Sequence, residues 1–295
     1  LGIRTFTSST DANYRPSKTF GLFGGYQFST RRVRSIQQSS FENIADRLAF
    51  DQTNQLHAGR AGVRLQPIKP LTIILDGEIG RADRPIYPTS EKNYHALGGR
   101  IQYKARNFTL SALTRANYNT NSVSLFSHSA RSRTYSADAS WTARPWLSFD
   151  ASYSKLHLDT MTGLAYFFDA RLVDSDRSVY ISNIHSGYFG ARVAIGSRAE
   201  FTVGYSRIQD TGDGRSPGPA APYIIGLAQP EIAPGTLGRT TYPLTFDSPL
   251  ARFSIRISKR VRWNAGYQHY GYSEELLPIQ NYRAHTGFTS LSWMF

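Results

Sequence analysis

The segment TARPWLSFDASYSK, Thr142 to Lys155, decides the fold class because its side chains alternate in polarity. Apolar and polar residues fall on opposite sides of an extended strand: Leu147, Phe149, Ala151 and Tyr153 against Ser148, Asp150, Ser152 and Ser154. The same period of two recurs in LGGRIQYK (97–104) and ARFSIRISK (251–259). This period is typical of β-strands that separate two different environments, and it is not the period of a helix.

The composition narrows the class further. The chain has 295 residues, of which 40% are hydrophobic and 13% aromatic, and its mean hydropathy is −0.39. No run approaches the ~18 apolar residues that a membrane-spanning helix needs. A barrel wall is compatible with these values, because lipid-facing and lumen-facing residues alternate along its strands. The chain has no cysteine, which excludes disulfides, thiolate metal sites and covalent haem attachment.

The alternating pattern predicts an all-β protein of twelve strands joined by connections of alternating length. The strands are predicted near residues 19–34, 55–66, 71–80, 93–105, 108–118, 133–143, 146–157, 184–196, 200–209, 250–259, 262–272 and 283–295. Short connections are predicted at 66–70, 105–107, 143–145, 196–200 and 259–261, and long ones at 35–54, 81–92, 119–132, 158–183, 210–249 and 273–282. This regular alternation of short and long connections indicates an antiparallel up-and-down transmembrane β-barrel, with short turns at one rim and long loops at the other. A β-sandwich has Greek-key crossings instead.

The N-terminal residues suggest a strand count above twelve. Segment 14–18, YRPSK, resembles the other short turns, so LGIRTFTSS before it reads as the end of a thirteenth strand. Bacterial single-chain barrels have even strand counts. We therefore expect residues 1–18 to be the end of an upstream strand or an N-terminal segment, and residues 19–295 to form a barrel of at least 12 strands. The odd count favours the C-terminal part of a 14-strand or larger barrel, and the alternative is that residues 1–18 are an N-terminal plug or periplasmic segment.

The polar side of the predicted strands carries many charges. Because unpaired charges are too costly for a dry core, we predict that they line a wet lumen: Arg60, Arg64, Arg100, Lys104, Arg115, Arg192, Arg252, Arg256, Arg262, Asp76, Glu78, Asp138 and Asp150. With Arg31 included, ten bases face four acids, and the whole chain carries a net charge of +13. Such a lining concentrates anions. The alternative is that acids and bases pair across strands and fill the lumen.

Aromatic residues mark the strand ends and the end of the chain. Trp141, Trp146, Tyr103, Phe108 and Trp263 flank short turns, as an aromatic girdle at a membrane boundary does. The final strand, HTGFTSLSWMF, places Leu291, Trp293 and Phe295 on one side.

In this last strand the chain resembles the Gram-negative outer-membrane β-barrels of porin-like type. The resemblance implies that Leu291, Trp293 and Phe295 form the signal read by the barrel-assembly machinery. It also implies an outer-membrane location with a periplasmic C-terminus, and contact of the basic outer rim with outer-membrane lipid and lipopolysaccharide. The basic short turns also bear a weak likeness to barrels that sheath multihaem cytochromes, without a motif to anchor it.

The expected function is a passive outer-membrane pore with an anion-favouring lumen. The alternative is a non-conducting barrel scaffold, a sheath or translocator, in an envelope assembly with a partner protein. A soluble β-sandwich adhesin is the third class. We predict no enzyme activity, no cofactor, no metal site and no nucleic-acid partner. SNIHSGY (182–188) lacks the spacing of a serine hydrolase, and DTGDG (210–214) is read as a turn rather than a calcium loop.

Overall fold

The computed structural model describes residues 2–41, 44–84, 91–121, 128–168, 171–212, 243–274 and 278–293, apart from the side chains of 36–48 and 163–178. These residues form thirteen strands and one short 3₁₀ turn, Pro278–Gln280. The strands are β1 Gly2–Tyr14, β2 Phe20–Phe41, β3 Ile44–Ile68, β4 Leu71–Ala82, β5 Asn93–Lys104, β6 Phe108–Asn121, β7 His128–Arg144, β8 Leu147–Phe168, β9 Arg171–Ile195, β10 Ala199–Asp210, β11 Leu244–Arg256, β12 Val261–Glu274 and β13 Tyr282–Trp293. Among the described residues, no helix is long and apolar enough to cross a membrane.

The thirteen strands form one antiparallel sheet in chain order, from β1 to β13. Each even-numbered strand follows a connection of two to five residues, such as 69–70 or 105–107, and these connections, called the short turns below, all lie at one end of the sheet. This confirms the predicted up-and-down topology. The sheet is open, because β1 and β13 each pair with a single neighbour. Both edge strands run in the same direction, so direct pairing between them would be parallel.

Two predicted long connections, 35–54 and 158–183, are wrong. The structure continues the strands through them, so that Phe41 of β2 pairs with Ile44 of β3, and Phe168 of β8 pairs with Arg171 of β9. These extensions lack a continuous apolar side, which is why the sequence pattern missed them. An antiparallel hairpin satisfies its backbone hydrogen bonds from the partner strand, whatever the side chains.

The two faces of the sheet differ in polarity and in exposure. We call the face that carries Arg60, Arg100 and Arg252 the polar face, and the opposite one the apolar face. Among the described side chains, the eleven that are buried all belong to the polar face: Val33, Ala58, Ala82, Ala96, Asn121, His128, Ser148, Ser182, Ser248, Ser254 and Asn264. On the apolar face, by contrast, Ile79 is 69% exposed and Leu97 is 68% exposed.

This distribution decides between a barrel wall and a sandwich. A sandwich buries its apolar faces against each other and leaves polar faces in water. Here small and polar side chains shield one another on the polar face, as on the inner side of a curved sheet. The large apolar side chains point outward with nothing over them. An uncovered apolar face of this extent needs lipid or another apolar partner.

Candidate functional site: the inner, polar face

The strand register places all thirteen predicted lining residues on the polar face. Arg60 pairs with Glu78, Arg192 with Thr202, and Arg256 with Arg262, and paired residues of neighbouring strands lie on the same face. Following the pairs from β3 to β12 connects every member of the set. The shared face of these residues is therefore a property of the observed pairing.

Part of this set forms ion pairs on the polar face of β1 to β6. Arg115 Nη1 lies 3.3 Å from Asp76 Oδ2, and its Nη2 lies 3.0 Å from Glu78 Oε2. Arg60 Nη2 donates to Asp11 Oδ1 at 2.7 Å. These pairs are partly exposed, so each contributes little to stability. Their effect is to cancel charge locally, as the paired-lumen alternative predicts.

Glu78 is the acceptor at the centre of this network. The Tyr94 hydroxyl donates to Glu78 Oε1 at 2.8 Å, beside the guanidinium of Arg115. Glu91 lies nearby, in the connection before β5. Burial, and to a smaller extent the charge of Glu78, raise the pKa of the Glu91 carboxyl above its usual value. Arg115 and Tyr94 thus donate the side-chain hydrogen bonds that the carboxylates of Asp76 and Glu78 accept.

Near the short turns, six bases of the polar face have no carboxylate within ion-pair distance among the described residues, and Arg31, further from the short turns on β2, has none either. The six are Arg64, Arg100 and Lys104 on β3 and β5, and Arg252, Arg256 and Arg262 on β11 and β12. All six lie in the half of their strand nearer the short turns. Arg256 and Arg262 are direct cross-strand partners, an arrangement of like charges that is unfavourable unless an anion or water separates them.

The predicted ratio of ten bases to four acids is wrong. The register also places Asp11, Glu200, Asp210 and Glu274 on the polar face. Glu200 Oε2 lies 3.9 Å from Arg192 Nη1. The sequence analysis missed these acids because they lie at strand ends or in β1, where the alternation was not followed. The positive character is therefore concentrated near the short-turn end rather than spread along the lining.

A tyrosine–histidine pair recurs three times on the apolar face, and the sequence analysis did not find it. The Tyr26 hydroxyl lies 2.5 Å from His57 Nδ1. The same contact measures 2.8 Å between Tyr153 and His185, and 2.6 Å between Tyr267 and His285. The tyrosines mark the limit of the apolar part of the face, because arginines and carboxylates, such as the pair Arg32 and Asp51, lie beyond them.

The signal for this pattern is present in the sequence as His-x-Gly: HAG (57–59), HSG (185–187) and HTG (285–287). In each case the glycine is the cross-strand partner of the tyrosine, so the ring lies over a residue without a side chain. His185 belongs to SNIHSGY. It points to the apolar face, whereas its neighbour Ser186 belongs to the polar face.

The DTGDG segment is described only up to Gly212. Asp210 accepts hydrogen bonds from Ser182 Oγ at 2.7 Å, from the Asn183 amide at 2.9 Å and from the Gly212 amide at 2.8 Å. Its oxygens therefore close a turn at the end of β10. In the part of the chain that the structure describes, no group of three metal-binding side chains occurs.

The short-turn end carries aromatic residues on the apolar face, where the sequence predicted a girdle. The rings of Trp141 and Phe149 stack with centroids 5.7 Å apart, and Trp263 Nε1 donates to Thr289 Oγ1 at 2.7 Å. In the final strand, Leu291 is 70% exposed and Trp293 is 62% exposed on this face. Phe295, the third predicted member of the assembly signal, lies outside the described residues.

Comparisons with known proteins give no sequence relative: no family model and no curated protein matches the chain. Solved structures do match. The copper transporter OprC aligns with a TM-score of 0.50 and 12% identity, over 91% of this chain and 46% of OprC. The outer membrane transporter YddB from Escherichia coli gives 0.47 and 9%, over 98% and 50%, and the NanC porin gives 0.31 and 10%, over 81% and 94%.

At 12% identity, the likeness to OprC, with its TM-score of 0.50, concerns the fold alone. It agrees with the strand order, the antiparallel register and the uncovered apolar face. The chain has the all-β, antiparallel up-and-down fold of the outer-membrane β-barrels, with its sheet open between β1 and β13.

Proposed function

We propose that this protein is a passive pore of the bacterial outer membrane whose lumen favours anions. The observation that carries the proposal is the set of six polar-face bases near the short turns that have no carboxylate within ion-pair distance among the described residues. They form two groups, one on β3 and β5 and one on β11 and β12. In a closed wall these groups face each other across the lumen. Their field raises the local concentration of anions, because low-dielectric walls focus it.

The proposal requires a closed wall, and closure by antiparallel pairs alone needs an odd number of further strands between β1 and β13. We further propose that the short turns and the C-terminal end of β13 lie in the periplasm. There Leu291, Trp293 and Phe295 engage the barrel-assembly machinery. The other end contacts outer-membrane lipid and lipopolysaccharide. The lumen provides an electrostatic field and a diffusion path for solutes, and the proposed function involves no chemical reaction.

The test is the conductance of the refolded, full-length protein in a planar bilayer with a salt gradient across it. The proposal predicts steady conductance and a reversal potential of the sign given by anion selectivity. Raising the ionic strength reduces this selectivity, because salt screens the lining charges. A cation-selective reversal potential contradicts the proposed lining. A folded protein that never conducts rejects the pore and favours the scaffold that works with a partner protein.

A further inference from the structure

We propose that β5 to β7 carry an outward-facing site for the phosphate of an outer-leaflet lipid, formed by Arg131 and Arg133. The inference rests on the proposed placement of the apolar face in the membrane. Both arginines belong to the apolar face of β7, beyond its apolar part, and both side chains are exposed. Bases at this height meet the headgroups of the outer leaflet, while the apolar residues below them meet acyl chains.

The first argument is that neither arginine is neutralised. Asp159 is the cross-strand partner of Arg131, yet no carboxylate among the described residues lies within ion-pair distance of Arg131 or Arg133. At the same end of the sheet and on the same face, Arg32 and Arg34 are both bonded to Asp51, at 2.7 Å and 3.0 Å. Unlike Arg32 and Arg34, the basic pair on β7 is therefore available to an external anion.

The second argument is the shape of the surface next to the arginines. A shallow groove of about 330 Å³ lies on this part of the sheet. Leu97 and Ala116 form its apolar floor, Arg133 lies beside Ala116 in the register, and His95, Tyr118 and Arg131 surround the end away from the short turns. The groove is open because Ala116, between Leu97 and Arg133 in the register, has a small side chain. An acyl chain fits the floor, and a phosphate fits the basic end.

The third argument is that the basic end is held in place. The guanidinium carbon of Arg131 lies 5.2 Å from the centroid of the Tyr118 ring, in cation–π geometry. The His95 ring packs against the other side of the site, with its centroid 5.0 Å from that of Tyr118. An arginine already stacked on a ring loses less conformational entropy when it binds, and its planar fork matches two phosphate oxygens.

The test is native mass spectrometry of the folded, detergent-solubilised protein with bisphosphorylated lipid A, its dephosphorylated form and inorganic phosphate. The site predicts that the wild type retains lipid A and that removing the phosphates weakens binding. In the double variant Arg131→Gln, Arg133→Gln the affinity falls about thirtyfold, from the usual contribution of a base at an anionic surface. Inorganic phosphate does not displace the lipid, since it lacks the acyl chain that covers the groove.

The matched control is Arg32→Gln, Arg34→Gln, which removes the same charge from the same face at a place where both guanidinium groups already bond Asp51. This variant keeps the wild-type affinity for lipid A. Heat-modifiable migration confirms that both variants fold. Equal losses in the two variants overturn the site, because binding then follows net charge alone. Affinity within twofold of the wild type in the β7 variant also overturns it. The conductance of the β7 variant separates this result from a failure of the proposed pore.

Discussion

The Ala151→Arg variant is expected to lower the free energy of unfolding by about 2–4 kcal/mol, the cost of a base on the lipid face near the middle of a bilayer. Ala151 lies on the apolar face of β8, between Ala139 and Phe189 of the neighbouring strands. No carboxylate of this face lies beside these partners. The expected defect appears as reduced folding into liposomes and as a lower urea midpoint.

The matched control is Ser152→Arg, one residue further along the same strand. Ser152 belongs to the polar face and is the cross-strand partner of Asp138. An arginine there meets water and a carboxylate, so we expect folding yield and urea midpoint close to the wild type. Equal damage at both positions, or damage at Ser152 alone, contradicts the assignment of the two faces.

The second large effect is a reversal of ion selectivity in the triple variant Arg252→Glu, Arg256→Glu, Arg262→Glu. Each change replaces a positive charge by a negative one on the polar face of β11 and β12, near the short turns. The carboxylates repel anions from the lumen and attract cations. The reversal potential in a salt gradient should therefore change sign.

Three arginines of the apolar face provide a control with the same change in net charge: Arg4→Glu, Arg81→Glu and Arg283→Glu. Selectivity should remain anionic in this variant, because these side chains point away from the lumen. If both triple variants shift the reversal potential equally, selectivity follows the overall charge of the protein and not the lining.

Face membership could be predicted from the sequence because it depends only on the period of two within each strand. That is why all thirteen residues predicted to line the lumen, from Arg60 to Arg262, lie on one face. The same logic placed Leu291 and Trp293 with Trp263 on the apolar face. Alternation within one strand carries this information without any knowledge of the partner strand.

Pairing between charges could not be predicted, because it depends on the register of strands that are far apart in the chain. Arg60 meets Asp11 across 49 residues, and Arg115 meets Asp76 across 39. The sequence therefore could not separate neutralised bases from Arg100 or Arg252. The tyrosine–histidine pairs could not be predicted for the same reason, although the repeated His-x-Gly motif is visible in the sequence.

The central claim is that the polar face meets water and the apolar face meets lipid. The chain has no cysteine, so single cysteines at Phe149, Asp150, Ala151 and Ser152 can each carry a spin label in protein folded into liposomes. Collision rates with oxygen, which concentrates in lipid, and with a water-soluble nickel complex then report each environment. We predict oxygen-dominated collisions at 149 and 151, and nickel-dominated collisions at 150 and 152. Equal accessibility at all four positions, or the inverse alternation, would contradict this assignment of the faces.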